Sequence, residues 1–185
     1  MLLQREFVYC FMNLTIRKAT KDDAVLVADL SRQTFYDTFA ADNRKEDMDL
    51  FLTKQFTKGR LMLEVGAPEN TFLLAYYGKE IAGYVKLRES KQPKSLGTKN
   101  ALEIARLYAV ASMIGKGVGK TLMQASIDMA KERGREVIWL GVWERNLRAI
   151  AFYQKWGFEK FDEWDFLLGN DVQRDWLMKK QLKDS

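Results

Sequence analysis

The stretch Gly115-Lys116-Gly117-Val118-Gly119-Lys120 narrows the folds open to this chain more than any other. It stands between an apolar run over residues 102–110 and a segment with helical periodicity. Glycines at alternate positions let successive backbone N–H groups converge on one concavity, because no side chain blocks the approach. A helix opening there adds unpaired N–H groups and the positive end of its dipole. The turn reads as an anion cradle for a phosphorylated ligand, with a plain glycine-rich surface turn as the alternative. Spacing tests two nucleotide folds. A P-loop ending in Gly119-Lys120-Thr121 requires glycine at position 114, which is Ile114. A dinucleotide fingerprint built on Gly117 and Gly119 requires a third glycine where Leu122 stands, and too much chain precedes it.

Composition then restricts the chemistry. With 185 residues, 47% apolar, and two prolines, the chain is sized for one compact domain with a substantial core. The single cysteine, Cys10, excludes an internal disulfide framework and suits a reducing compartment, so a cytoplasmic location is expected. The absence of histidine removes the usual proton shuttle, the Ser/His and Cys/His dyads and the commonest zinc ligand. No metal is expected, and acid–base work falls to carboxylates, tyrosine, lysine or ordered water. The longest continuous apolar run, 137–143, is far shorter than a membrane span, so no membrane partner is expected. Residues 1–12 read as an N-terminal extension ahead of a domain over 13–185, with Met12 as an alternative start.

A net charge of +5 suggests nucleic acid at first, but its distribution argues otherwise. Residues 22–50 hold eight acids against three basic side chains, and 159–175 hold six acids against Lys160 and Arg174. Residues 86–99 and 116–135 are basic. Such a split suits a polyanion on one side and a cation on the other, or ordinary solvated helix faces.

Periodicity gives a mixed α/β alternation. Strands are expected at 14–18, 71–77, 80–87, 102–110, 137–143, 158–168 and 172–180. Helices are expected from a Thr20-x-x-Asp23 cap to about residue 35, then at 44–53 and 57–65, from the glycine turn to Arg133-Gly134, and from Asn146 to Trp156. Gly78-Lys79 and Gly169-Asn170 read as hairpin turns, and 89–100 as a loop. The run 137–143 is apolar on both faces, as in a central parallel strand.

These residues carry a resemblance. A strand, a Gly-x-Gly turn into a helix, a further strand, then Asn146-x-x-Ala149 with Phe152-Tyr153 and Gly157-Phe158 resembles the GNAT superfamily of N-acetyltransferases over roughly 14–182. Within it, Thr34-Phe35-Tyr36-Asp37-Thr38-Phe39, Ile81-Ala82-Gly83-Tyr84-Val85-Lys86-Leu87, Leu102-Glu103-Ile104 and the Trp139 to Asn146 block resemble bacterial spermine/spermidine acetyltransferases. The resemblance implies an α/β (α+β) fold: a mixed, mostly antiparallel sheet of about seven strands, helices on both faces, splayed between the fourth and fifth strands. It implies acetyl-CoA as cosubstrate, a small-molecule amine such as spermidine or spermine as partner, and direct attack in a ternary complex. Oligomeric state stays open, a homodimer included. A protein or peptide α-amine acceptor is one alternative, and a non-catalytic acetyl-CoA or nucleotide sensor is another.

By the same resemblance, the pyrophosphate rests on the turn formed by Gly115, Lys116, Gly117, Val118, Gly119 and Lys120, although Ile114 stands where the family has Gln or Arg. The pantetheine arm pairs with backbone of Leu107, Tyr108 and Ala109, with Asn146 as a polar partner and Lys155 as a weaker contact. Tyr153 is expected to protonate the departing thiolate. A protonated alkylamine with a pKa near 10.4 costs about 4.6 kcal/mol to deprotonate at pH 7. Without histidine, either a carboxylate acts through water, with Glu103 and Glu144 as candidates, or a backbone carbonyl orients the few neutral amines. Phe35, Tyr36 and Asp37 have the aromatic and acidic character of an amine cage, and Glu144 joins them as a substrate contact. Each has a plainer alternative in core packing, helix capping or solvated charge.

Overall fold

The computed structural model describes residues 13–89, 92–97 and 100–182, so the 1–12 extension lies outside the described residues. In chain order the elements are β1 (Leu14–Lys18), α1 (Ala24–Phe39), α2 (Lys45–Leu50), α3 (Lys58–Glu64), β2 (Asn70–Tyr77), β3 (Glu80–Arg88) and β4 (Ala101–Ala109). They continue with α4 (Val118–Glu132), β5 (Val137–Trp143), α5 (Leu147–Lys155), β6 (Glu159–Leu168) and β7 (Asp171–Gln181). The expected elements are present, with two boundary changes. Helix α1 runs one turn past residue 35 because Phe35 and Phe39 both find aromatic neighbours, with their rings 4.7 Å apart. The expected helix at 44–53 divides, since the wider-turned segment Phe51–Gln55 follows α2 and lets Phe51 stack on Phe35 at 4.7 Å.

One seven-stranded sheet runs in the order β1-β2-β3-β4-β5-β7-β6. Strand β5 is buried along Val137–Leu140 as its two-faced apolar pattern requires, but it is parallel to β4 alone and antiparallel to β7. The β4–β5 pairing covers only Ala101 with Val137, Leu102 with Ile138 and Glu103 with Trp139. Just beyond this, the register of β4 against β3 slips: Leu87 faces Ile104, whereas Lys86 faces Arg106. The extra residue, Ala105, bulges β4, and a bulge bends its strand and raises its twist. The two parallel strands therefore part, leaving Arg106 to Ala109 and Gly141 to Trp143 facing a gap.

Alternation of side chains across the sheet sorts the helices. Leu73, Ala75, Val85 and Leu87 pack with Val118 and Leu122 of α4 and with Ile150 of α5. Phe72, Leu74 and Tyr84 point the other way, to Val27 and Leu30 of α1. Helix α4 buries Val118, Leu122, Ala125 and Ala130 along one stripe.

The β6–β7 hairpin is clamped onto α2. Gly169 has φ +63°, and a Cβ there would lie 2.5 Å from the Asp47 carbonyl oxygen and 2.6 Å from its Cα. The Asn170 N–H donates to the Asp47 carboxylate at 2.9 Å, which Arg44 also holds at 2.7 Å. Gly169→Ala should lose about 3 kcal/mol, from left-handed strain plus a backbone clash. In urea the midpoint should fall at constant slope, and KM should rise for the amine more than for acetyl-CoA, because Phe166, Leu168 and Gln173 of this hairpin line the cavity described next.

Candidate active site

A cavity of about 680 Å3 fills the gap between the diverging strands. At one end it is lined by Gly115, Gly117, Val118, Gly119 and Lys120. Gly117 has φ +85°, a conformation that side chains resist, and its carbonyl accepts the Thr121 N–H at 3.0 Å, opening α4. The first N–H groups of α4 are thus left pointing at the cavity, with Lys120 and Arg148 beside them. The donor set fits a pyrophosphate. Leu107, Tyr108, Ala109, Asn146 and Tyr153 line the wall between this cradle and the strand gap. Asn146 also caps α5, accepting the Ala149 N–H at 3.1 Å.

Tyr153 is 9% exposed, its ring set among Phe152 and Phe158. Burial pushes its hydroxyl up to about 12, so it stays protonated at neutral pH. Burial raises Tyr108 as well, and the neighbouring Tyr84, Tyr153 and Asp175 add to the rise. Asp175 lines the cavity from β7. Its position follows from pairing with Trp143, which sets it beside Gly141 at the parted end of β5. Burial lifts its carboxyl to about 6, opposed by a hydrogen bond from the Trp164 side chain. A carboxylate with that pKa is mostly ionised at pH 7 yet far more basic than an exposed one.

The far end is aromatic and basic. Phe35, Phe39, Phe51, Phe56 and Phe166 form much of the wall, together with Lys86, Arg88 and Arg106. Arg106 lies 4.6 Å above the Phe56 ring and holds Glu64 at 2.6 and 3.0 Å. Lys86 reaches the same Glu64 at 3.0 Å. Burial raises the Glu64 carboxyl, but Arg106 and Lys86 outweigh it and the net shift is downward. Lys86 is lowered to about 8, by burial first and by Arg106 second, with Glu64 opposing.

Several expected site residues lie elsewhere. Glu103 is not on the cavity wall: it is 3% exposed, and both its oxygens are held by Arg88 at 2.7 and 2.8 Å. The bulge after it turns the strand, so the acid on β4 is spent in an ion pair with β3. Asp37 is exposed and accepts from Gln33 at 2.7 Å, while Tyr36 is 47% exposed; both face away from the wall that Phe35, Thr38 and Phe39 supply. Lys155 is exposed, and Lys116 turns toward Met113 and the Tyr77 ring. Glu144 sits in an adjoining polar depression with Asp42, Asp165 and Asp171, which shares Trp143 and Gln173 with the main cavity. Asp175, Arg106, Lys86 and Arg148 went unread because each lies inside an ordinary strand or helix pattern with no local motif.

Among the described residues there is no helix long and apolar enough to cross a membrane and no cluster able to hold a metal ion. Residues 29–158 match the model of the Acetyltransferase (GNAT) family. The chain is 38% identical, over 90% of its length and 96% of the relative, to an uncharacterized N-acetyltransferase in the pepI 3′ region of Lactobacillus delbrueckii subsp. lactis. It is 25% identical to the spermidine N(1)-acetyltransferase of Thermoplasma acidophilum, covering 85% of this chain and 96% of that one. The crystal structure of PaiA N-acetyltransferase from Thermoplasma acidophilum in complex with coenzyme A superposes with a TM-score of 0.74 at 24% identity, covering 92% of this chain and 99% of the other. The chain belongs to the acetyltransferase (GNAT) family and is an N-acetyltransferase.

Proposed function

We propose that this protein moves the acetyl group of acetyl-CoA directly onto the primary amine of a small molecule, in a ternary complex at the parted β4–β5 edge. The observation that carries the reading is one cavity whose wall holds a phosphate cradle together with Tyr153 and Asp175. The bound amine arrives as an ammonium ion. Asp175 accepts its proton, directly or through one water; the neutral nitrogen attacks the thioester carbon, and the C–S bond then breaks. Tyr153 donates its hydroxyl proton to the leaving thiolate and is reprotonated through water by the second proton that the acylated nitrogen sheds, while Asp175 returns its proton to solvent. Against an amine at about 10.4, a carboxyl at about 6 leaves a proton transfer uphill by about 6 kcal/mol, against about 9 kcal/mol for an ordinary aspartate. The low-dielectric site of Asp175 therefore accounts for about two orders of magnitude.

Spermidine is one candidate acceptor. It is supported by the 25% identical spermidine acetyltransferase and by the adjoining depression, whose lining holds Asp42, Glu144, Glu163, Asp165 and Asp171 against Arg145 and Arg174. The test is release of CoA thiol from acetyl-CoA with spermidine, with simple alkylamines and with a peptide bearing a free α-amine. Turnover with small amines supports the reading, turnover with the peptide alone moves the acceptor to protein N-termini, and no turnover with any amine overturns it. Tyr153→Phe should lower kcat about 30-fold with the KM for acetyl-CoA within about twofold, because only the proton donated in the transition state is lost. An unchanged kcat in stopped-flow thiol release would remove Tyr153 from the chemistry.

A further inference from the structure

We propose that the acceptor carries a carboxylate beside its amine, so that it is a small α-amino acid with an apolar side chain, and that Arg106 and Lys86 form the subsite for that carboxylate. The inference rests on the acetyltransferase reading above and narrows its substrate. Among the described residues lining the acceptor half of the cavity, the charged groups are Lys86, Arg88 and Arg106 against Asp175 alone. Arg88 is neutralised from behind by Glu103 through two hydrogen bonds. Lys86 and Arg106 have only one carboxylate between them: Arg106 takes both oxygens of Glu64 at 2.6 and 3.0 Å, Lys86 shares one of these at 3.0 Å, and Glu64 itself stands off the wall. Two cations sharing one carboxylate leave an excess positive charge in a place where the Lys86 side chain is 3% exposed and the neighbouring wall is phenyl rings. Buried charge of this kind is compensated by a partner, and the partner not supplied by the chain is an anion on the ligand. A guanidinium fixed over the Phe56 ring is suited to bind a carboxylate.

Arg106 and Asp175 line the same cavity, and both act electrostatically on Tyr108 of that wall. A molecule whose ammonium faces Asp175 and whose carboxylate faces Arg106 satisfies both charges, as an amino acid does. Its side chain would then lie on Phe35, Phe51 and Phe56. A polycation placed along the same wall meets Lys86 and Arg106 with like charge.

The experiment compares matched acceptors that differ only by the carboxylate: phenylalanine with 2-phenylethylamine, leucine with isoamylamine, and methionine with 3-(methylthio)propylamine, with spermidine alongside. For at least one pair, kcat/KM for the amino acid should exceed that of its decarboxylated partner by about 50-fold, and should exceed that of spermidine. In Arg106→Gln the ratio within that pair should fall to about threefold; a folding defect would lower both members alike and cancel. Decarboxylated amines or spermidine turned over as well as or better than every amino acid would overturn the inference while leaving the acetyltransferase intact. A ratio unchanged in Arg106→Gln would overturn the subsite. If no acceptor releases CoA, the acetyltransferase reading fails, and calorimetric binding of the same pairs in the presence of CoA decides the inference separately: tighter binding of the amino acid supports it, and equal or absent binding overturns it.

Discussion

Asp175→Asn should lower kcat/KM for the amine about a hundredfold at pH 7 and at the same time make the protein harder to unfold. The loss of activity follows from removing the proton acceptor while keeping the shape of the side chain and an oxygen for the Trp164 hydrogen bond. Asp175 sits at about 6, raised from 3.8 by burial, so the kcat/KM of the native enzyme should climb about tenfold per pH unit below 6 and level off above it. In the variant that limb should disappear. Lys86, at about 8, titrates too high to replace it.

The gain in stability grows with pH over the same range. A carboxyl whose folded pKa is raised favours folding while it is protonated, below about 4, and that contribution is lost as pH rises through about 6. At neutral pH the ionised, largely buried Asp175 therefore opposes folding by about 3 kcal/mol, which asparagine relieves. Urea melts at pH 4 and pH 7 should show the variant gaining little at the lower pH and most of this amount at the higher. A variant that is equally active, or less stable at pH 7 than at pH 4 relative to the native chain, would show that Asp175 is a structural group. Site groups held at a cost to folding are expected where function requires them.

Gly117→Glu should weaken acetyl-CoA binding about a hundredfold. Two effects add: the left-handed backbone at φ +85° is unfavourable for any side chain, and a carboxylate is placed beside N–H groups that would otherwise meet phosphate. Gly117→Gln carries the first effect without the second, so it should lose about tenfold. Because the repulsive part is coulombic, the gap between the two variants should shrink as salt rises from 50 mM to 500 mM. Equal affinities for the native chain and the Glu variant by calorimetry would remove the phosphate from this turn.

Much of the fold was legible because its signals are local. The alternate glycines before a helical stripe, the two-faced apolar run of β5, the Gly-Asn hairpin and the Asn146 cap each depend on residues a few positions apart. The cofactor half of the cavity is assembled from such segments, and Leu107, Tyr108, Ala109, Gly115, Gly117, Val118, Gly119, Lys120, Asn146 and Tyr153 do line it. Boundaries were less legible: α1 continues to Phe39 because Phe35, Phe39 and Phe51 stack with one another across elements, which no window of sequence contains.

The acceptor half was hidden for the same reason on a larger scale. Glu103 looked like a free carboxylate on a strand, but the register of β3 sets Arg88 opposite it, and the ion pair consumes it. Asp175 looked like one more charge near the end of the chain, but pairing with Trp143 carries it to the opened edge of β5, where low dielectric makes it basic. Arg106 and Lys86 are 20 residues apart in the chain and meet on Glu64, 22 residues before Lys86. Sequence alone determined the elements, their order and the phosphate-binding turn, since backbone conformation and amphipathic period are set by near neighbours. Tertiary structure alone decided which charges share a cavity, because a one-residue bulge in β4 and the register of three strand pairs choose which side chains face each other, and only burial fixes how basic they become.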